Sequence, residues 1–207
     1  MTEKTNQLKK GTSVASKELF ATKNLVLISL LSAVAYVLML LHFPIKFIGF
    51  LELEFSDVPA IIGGILYGPA VGVIIELIKN LIKAITATTT GGVGELANFV
   101  IGSAFVLPAS ILFRRMKGKG RALLSFGVAT ISMVVVGALI NYFIMVPLYA
   151  KVFGGMDAVI NLSSQMIPAI KDLGTIVLFG ITPFNIVKGI FLGIVSYYIY
   201  KPLRSRI

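Results

Sequence analysis

Two pairs of polar residues stand at helical spacing within apolar sequence: Glu95 with Asn98, and Asn185 with Lys188. Residues three apart lie on one helix face, so each pair presents its groups together. An asparagine offers a donor and an acceptor side by side, which matches the imide or amide edge of a ring. A carboxylate or an ammonium can hold hydroxyls or a carbonyl. Asn141 stands in a third apolar run, and Lys79 and Lys83 lie four apart in a fourth. The set suits a flat, uncharged or weakly charged heterocycle with polar substituents. It suits a phosphate poorly, because no arginine falls near these positions.

The elements carrying these residues belong in a membrane. Of 207 residues, 57% are hydrophobic and 14% charged, whereas soluble domains run near 45–50% apolar and about 25% charged. Long runs such as 25–41 and 122–150 hold no Asp, Glu, Lys or Arg, and apolar runs of about this length read as transmembrane helices. The fold class is all-α integral membrane protein with six transmembrane helices: 25–41, 57–67, 69–86, 93–114, 122–149 and 182–200. The last opens at Thr182-Pro183, an N-cap followed by proline at the first helical position, and 150–180 reads as a long connection. The second helix spans only about 16 Å at 1.5 Å per residue, too short for ~30 Å of hydrocarbon. Its surroundings must therefore shield irregular backbone at membrane depth.

Lysine and arginine placement sets the orientation. Basic residues collect in 1–24, in the turn holding Arg114, Arg115, Lys117, Lys119 and Arg121, and at Lys201, Arg204 and Arg206. With six helices and both termini cytoplasmic, all of these fall inside. Residues 1–24 form one cytoplasmic tail, 25–202 the membrane domain and 203–207 the second tail. The net charge of +10 is then a topology signal in a lipid bilayer and no footprint of nucleic acid. In this arrangement Glu95, Asn98, Asn141, Asn185, Lys188, Lys79 and Lys83 reach a similar outer level, a polar pocket opening outward. The connections 42–55 and 86–94 would form lids, and Phe43, Phe47, Phe50, Phe99, Phe179 and Phe184 could supply aromatic packing.

Plainer readings stand beside these. Glu76 and Lys79 could be a local ion pair, and Glu95 a helix-start carboxylate favoured by the dipole. Asn141 could make only an interhelical hydrogen bond, and Lys188 could simply pair with Glu95. Enzyme chemistry finds little support: there is no cysteine, one histidine and no HExxH, hence no metal cluster, and no nucleophile–base pair. No cofactor is implied. The stretch GVGELA at 92–97 fits the dinucleotide fingerprint, but that motif needs a strand leading in and a helix leading out. Here it follows a membrane helix, so its glycines read as a tight turn.

The order FSDVPAIIGGILYGPAVG, then GGVGELANF, then PFNIVKG resembles the substrate-binding S components of energy-coupling factor vitamin transporters, most of all the riboflavin-specific ones. The likeness covers about 25–202. It implies a riboflavin site near the outer surface of a prokaryotic plasma membrane, with Asn185 and Lys188 meeting the ring's polar edge beside Asn141 and Glu95. It also implies docking on a transmembrane coupling subunit through small residues of the first helix, here Ser29 and Ala33. Two ATPase subunits would power uptake, since the chain has no GxxxxGK[ST] phosphate loop. An S component for another vitamin, or a stand-alone carrier, remains the alternative.

Overall fold

The computed structural model describes residues 22–41, 46–118 and 120–203. His42 and Phe43, from the expected first lid, lie outside the described residues. The chain is nearly all helical. Helix α1 (Thr22–Leu40) leads to a small antiparallel hairpin of β1 (Lys46–Phe47) and β2 (Leu51–Glu52), with Lys46 opposite Glu52. Then come α2 (Asp57–Tyr67), α3 (Pro69–Thr86) and α4 (Val93–Arg115). Gly68, at φ 124°, makes the break between α2 and α3, and Pro69 opens α3. These are the residue types that end and start helices, and both helices keep their predicted bounds. Helix α4 continues through Pro108.

The short α2 is enclosed by protein, which resolves its length. Every residue from Asp57 to Ile65 is buried. Its last carbonyls would be costly there without partners, and Arg114 Nη1 donates to Ile65 O at 2.9 Å and Leu66 O at 3.0 Å.

Helix α5 (Arg121–Ile140) passes through a π-helical turn (Asn141–Met145) into α6 (Val146–Phe153). After α7 (Met156–Ser164), the chain forms α8 (Leu173–Thr175), a second π-helical turn (Ile176–Ile181) and α9 (Thr182–Leu203). The expected helix start at Thr182-Pro183 is therefore corrected. Asp172 caps the run instead: its carboxylate accepts from Thr175 N at 2.8 Å in a reciprocal capping box. The connection expected over 150–180 likewise contains helices. Each π turn stands just before a proline, Pro147 or Pro183. Proline has no N–H for the helical ladder, and a wider turn absorbs that loss without ending the helix.

Helices α5 and α9 pack closely along their length. A Cβ at Gly189 would meet Thr130 Cγ2 at 2.7 Å, and one at Gly193 would meet Phe126 Cβ at 3.0 Å. The small-residue stripe of α9 is thus used within the chain. At the far end, Arg121 lies over the rings of Phe113 and Tyr200, 4.4 and 5.5 Å from their centres. It also donates to the Tyr200 hydroxyl at 3.1 Å.

Among the described residues, three helical runs are long and apolar enough to cross a membrane: Val93–Arg115, Arg121–Phe153 and Leu173–Pro202. Asn24–Leu40 and Asp57–Tyr67 are shorter apolar helices. Leu30, Ile131, Leu139, Phe143, Val187 and Ile194 lie exposed on the surface. Water would penalise such a surface, whereas hydrocarbon accepts it.

Candidate substrate-binding site

Between the hairpin, the 86–94 connection, the two π turns and the facing parts of α1, α3, α4, α6, α7 and α9 lies a cavity of about 190 Å³. The Thr/Gly connection is shaped by its own side chains. Thr88 Oγ1 accepts from Gly92 N at 2.9 Å, and Thr90 Oγ1 accepts from Gly94 N at 2.9 Å. Gly91 and Gly92 take φ of 61° and 89°, a conformation that favours glycine. The dinucleotide-like stretch is a helix-start turn. Its effect is to aim Glu95, whose Oε2 accepts from Thr88 Oγ1 at 2.9 Å and Thr90 Oγ1 at 3.3 Å.

Glu95, Asn98, Asn141, Asn185, Lys188 and Lys83 all line this cavity. Asn141, from its own helical run, and Asn185, from α9, both lie against Gly137 of α5. Asn141 Nδ2 donates to Gly137 O at 2.8 Å, and a Cβ at Gly137 would stand 2.5 Å from Asn185 Nδ2. Asn185 is buried, and its Nδ2 has no hydrogen-bond partner among the described residues. An orphaned donor of this kind costs about 1–3 kcal/mol, and it stands in the wall of a cavity.

Lysine 188 is held from three sides. Its Nζ donates to Asn98 Oδ1 at 3.2 Å, lies 2.9 Å from Asp57 Oδ2 and lies 3.9 Å from Glu54 Oε1. Asn98 Nδ2 donates in turn to Glu54 Oε1 at 2.5 Å. Its counter-ions are therefore Asp57 and Glu54, in place of the Glu95 pairing considered from sequence. Lys79 sits elsewhere. It is fully buried and outside the cavity lining, bonded to Ser56 Oγ at 2.7 Å, to Asp57 Oδ1 and to Glu76 Oε2 at 2.9 Å. An ammonium has three N–H groups, and these contacts use all three.

One wall is aromatic. Phe50 packs on Tyr149 with ring centres 4.8 Å apart, and Tyr149 stacks on Phe153 at 5.8 Å. Phe184 also lines the cavity, with Phe47 packed 5.7 Å behind it. Phe99 and Phe179 are not among the lining residues. Sequence reasoning missed Tyr149, Phe153 and Leu162, which lie at or beyond the predicted end of the fifth span. It also missed Asp57 and Glu54; the available signal was an acidic residue opening a helix that is otherwise apolar.

Residues 23–200 match the family described as ECF transporter, substrate-specific component. The chain belongs to this family. It is 36% identical to the riboflavin transporter FmnP of Bacillus subtilis over 88% of this chain and 92% of that one. It is 37% identical to the riboflavin transporter RibU of Staphylococcus aureus, over 88% and 91%. Among solved structures it resembles one described under "Structure and mechanism of the S component of a bacterial ECF transporter", with a TM-score of 0.69 and 34% identity, covering 88% of this chain and 96% of that one. An ECF substrate-specific component is a membrane-embedded transport subunit, and the apolar helices and surface of this chain accord with that.

Proposed function

We propose that this chain captures riboflavin from outside the cell, as the specificity subunit of an ECF-type importer. The observation that carries the reading is the unpartnered Asn185 Nδ2 beside Lys188 in a cavity with a wall of stacked aromatic rings. A ring imide supplies acceptors for Asn185 and Lys188, and an acceptor or N–H for Asn141, whose Nδ2 is already engaged. Phe50, Tyr149 and Phe184 offer faces to the ring, and Glu95 accepts from ribityl hydroxyls. The names of the two relatives support the same substrate.

The cavity is smaller than the roughly 300–1,000 Å³ of pockets that enclose drug-sized ligands. The hairpin and the 86–94 connection therefore act as lids that shift to admit the ring. Six spans with both termini cytoplasmic, in a prokaryotic plasma membrane, place the lids outside. Ser29 and Ala33 lie on the exposed face of α1, while Ile28, Ser32 and Ala35 point inward. That outward face is the docking surface for a transmembrane coupling subunit, which carries two ATPase subunits.

The test is an absorbance spectrum of detergent-purified protein, followed by titration with riboflavin while flavin fluorescence is read. Yellow protein, or stoichiometric quenching at submicromolar ligand, supports the proposal. Folded, colourless protein that leaves the fluorescence unchanged removes riboflavin as the substrate.

A further inference from the structure

The geometry points to Asp57 as a positioning residue for the substrate site, with Lys79 as its anchor. This rests on the riboflavin reading for its binding consequences, but the contacts themselves are independent of any ligand. Asp57 is fully buried at the start of α2. Its two oxygens face two lysines from different helices: Oδ1 accepts from Lys79 Nζ of α3, and Oδ2 lies 2.9 Å from Lys188 Nζ of α9. The two lysines differ in what remains free. Lys79 spends its three N–H groups on Ser56, Asp57 and Glu76 and stays out of the cavity. Lys188 donates to Asn98 and pairs as an ion with Asp57 Oδ2 at 2.9 Å, with Glu54 at 3.9 Å beyond hydrogen-bond reach. Its remaining N–H belongs to the cavity that it lines.

The direction of that last N–H is set by the other two. A lysine side chain is long and rotatable, so a ligand-facing ammonium without such tethers would lose much rotamer entropy on binding. Asp57 removes that cost beforehand, and Lys79 with Ser56 fixes Asp57. Room for the assembly comes from Gly102 of α4, where a Cβ would meet Glu76 Oε2 at 2.7 Å and Asp57 Oδ1 at 3.5 Å. Lys79, placed by sequence among the ligand contacts, acts here two steps behind the ligand.

A double-mutant cycle separates positioning from general support. Lys188→Met, Asp57→Asn and the double variant are purified and titrated with riboflavin, and the visible absorption band of bound flavin is recorded. Lys188→Met should weaken binding about 100-fold, Asp57→Asn about 10-fold, and the double variant no more than Lys188→Met alone, as coupled neighbours behave. The flavin band should shift on Asp57→Asn in the native background and stay put on the same change in the Lys188→Met background. Multiplied losses near 1,000-fold, or equal band shifts in both backgrounds, would overturn the proposal.

Melting of the ligand-free proteins in detergent supplies the second arm. Asp57→Asn leaves two buried ammonium groups short of a carboxylate; the double variant removes one charge of each sign. The double variant should melt above Asp57→Asn. A double variant that melts lower by the sum of the single losses overturns the pairing even if riboflavin binds. If native protein fails to quench riboflavin while the melting arm shows coupling, the substrate reading fails and the Asp57–Lys188 tether stands.

Discussion

Helices α5 and α9 face each other at two depths with different results. Toward the cavity, Gly137 lies against the Asn185 amide. Further along, Gly189 and Gly193 lie against Thr130 and Phe126, and the interface ends where Arg121 meets Tyr200. In both places glycine permits close approach. In the first it makes room for a polar group whose donor has no partner among the described residues, and in the second it makes ordinary packing. Close contact between these helices therefore serves recognition at one end and cohesion at the other, and the two should respond to mutation differently.

The largest effect should come at the cavity end from Lys188→Met, a loss of about 100-fold in riboflavin affinity, since a hydrogen bond to a charged group contributes roughly 1.5–3 kcal/mol. Flavin fluorescence titration checks this. Gly137→Ala comes next: its methyl would displace the Asn185 amide and lower affinity by about tenfold, the worth of one neutral hydrogen bond. Melting should change less than binding. Gly189→Leu inverts that pattern, costing about 1–3 kcal/mol by overpacking, with thermal unfolding lowered and riboflavin affinity unchanged in the folded fraction. Equal losses of affinity from Gly137→Ala and Gly189→Leu would break the comparison.

A smaller effect should follow from Gly180→Ala. Ile48, at the hairpin turn, is fully buried with φ 48°, a strained setting for a β-branched residue. A Cβ at Gly180 would stand 2.8 Å from Ile48 Cδ1. The added methyl should unseat the hairpin and raise riboflavin dissociation a few-fold, as one overpacked contact would, which stopped-flow fluorescence can read.

The smallest effect should be local. The Thr175 backbone N–H, then its hydroxyl, holds the exposed Asp172 carboxyl below the usual aspartate range. A lowered value in the folded state means that the capping contribution is present above the unfolded pKa and fades as pH falls through the folded one. Hydrogen exchange at the Thr175 amide should therefore quicken only in acid, below about pH 4, with the cavity unaffected.

Much of this was legible in the sequence because turn-forming residues mark it. Gly68-Pro69 bounds α2 and α3, and Gly91-Gly92 marks the start of α4. The candidate polar residues Glu95, Asn98, Asn141, Asn185 and Lys188 stand out because ionisable and amide groups are costly in apolar helices. What stayed hidden depends on three-dimensional context. Ser56-Asp57-Val58-Pro59 looks like a solvent-facing cap, and nothing local shows that Asp57 is buried between two lysines. Thr182-Pro183 looks like a helix start, because a proline after a wide turn and a proline after a cap carry the same local signal. Lys79 and Lys83 share a helix face, yet only Lys83 lines the cavity; the difference arises from Asp57 and Ser56, which arrive from the neighbouring segment.

The two π turns have a further consequence for how this chain tolerates change. A helix advances by 100° per residue, so a wide turn that houses one additional residue shifts the phase of everything after it. If Ile176–Ile181 closed into ordinary helix with no residue removed, Asn185 and Lys188 would turn away together by about that angle. Gly189 and Gly193 would turn with them. Recognition and cohesion on α9 thus share a single phase, kept by the six residues of the turn before it. Closing that turn with its length unchanged is a change that no compensating substitution within the cavity can repair.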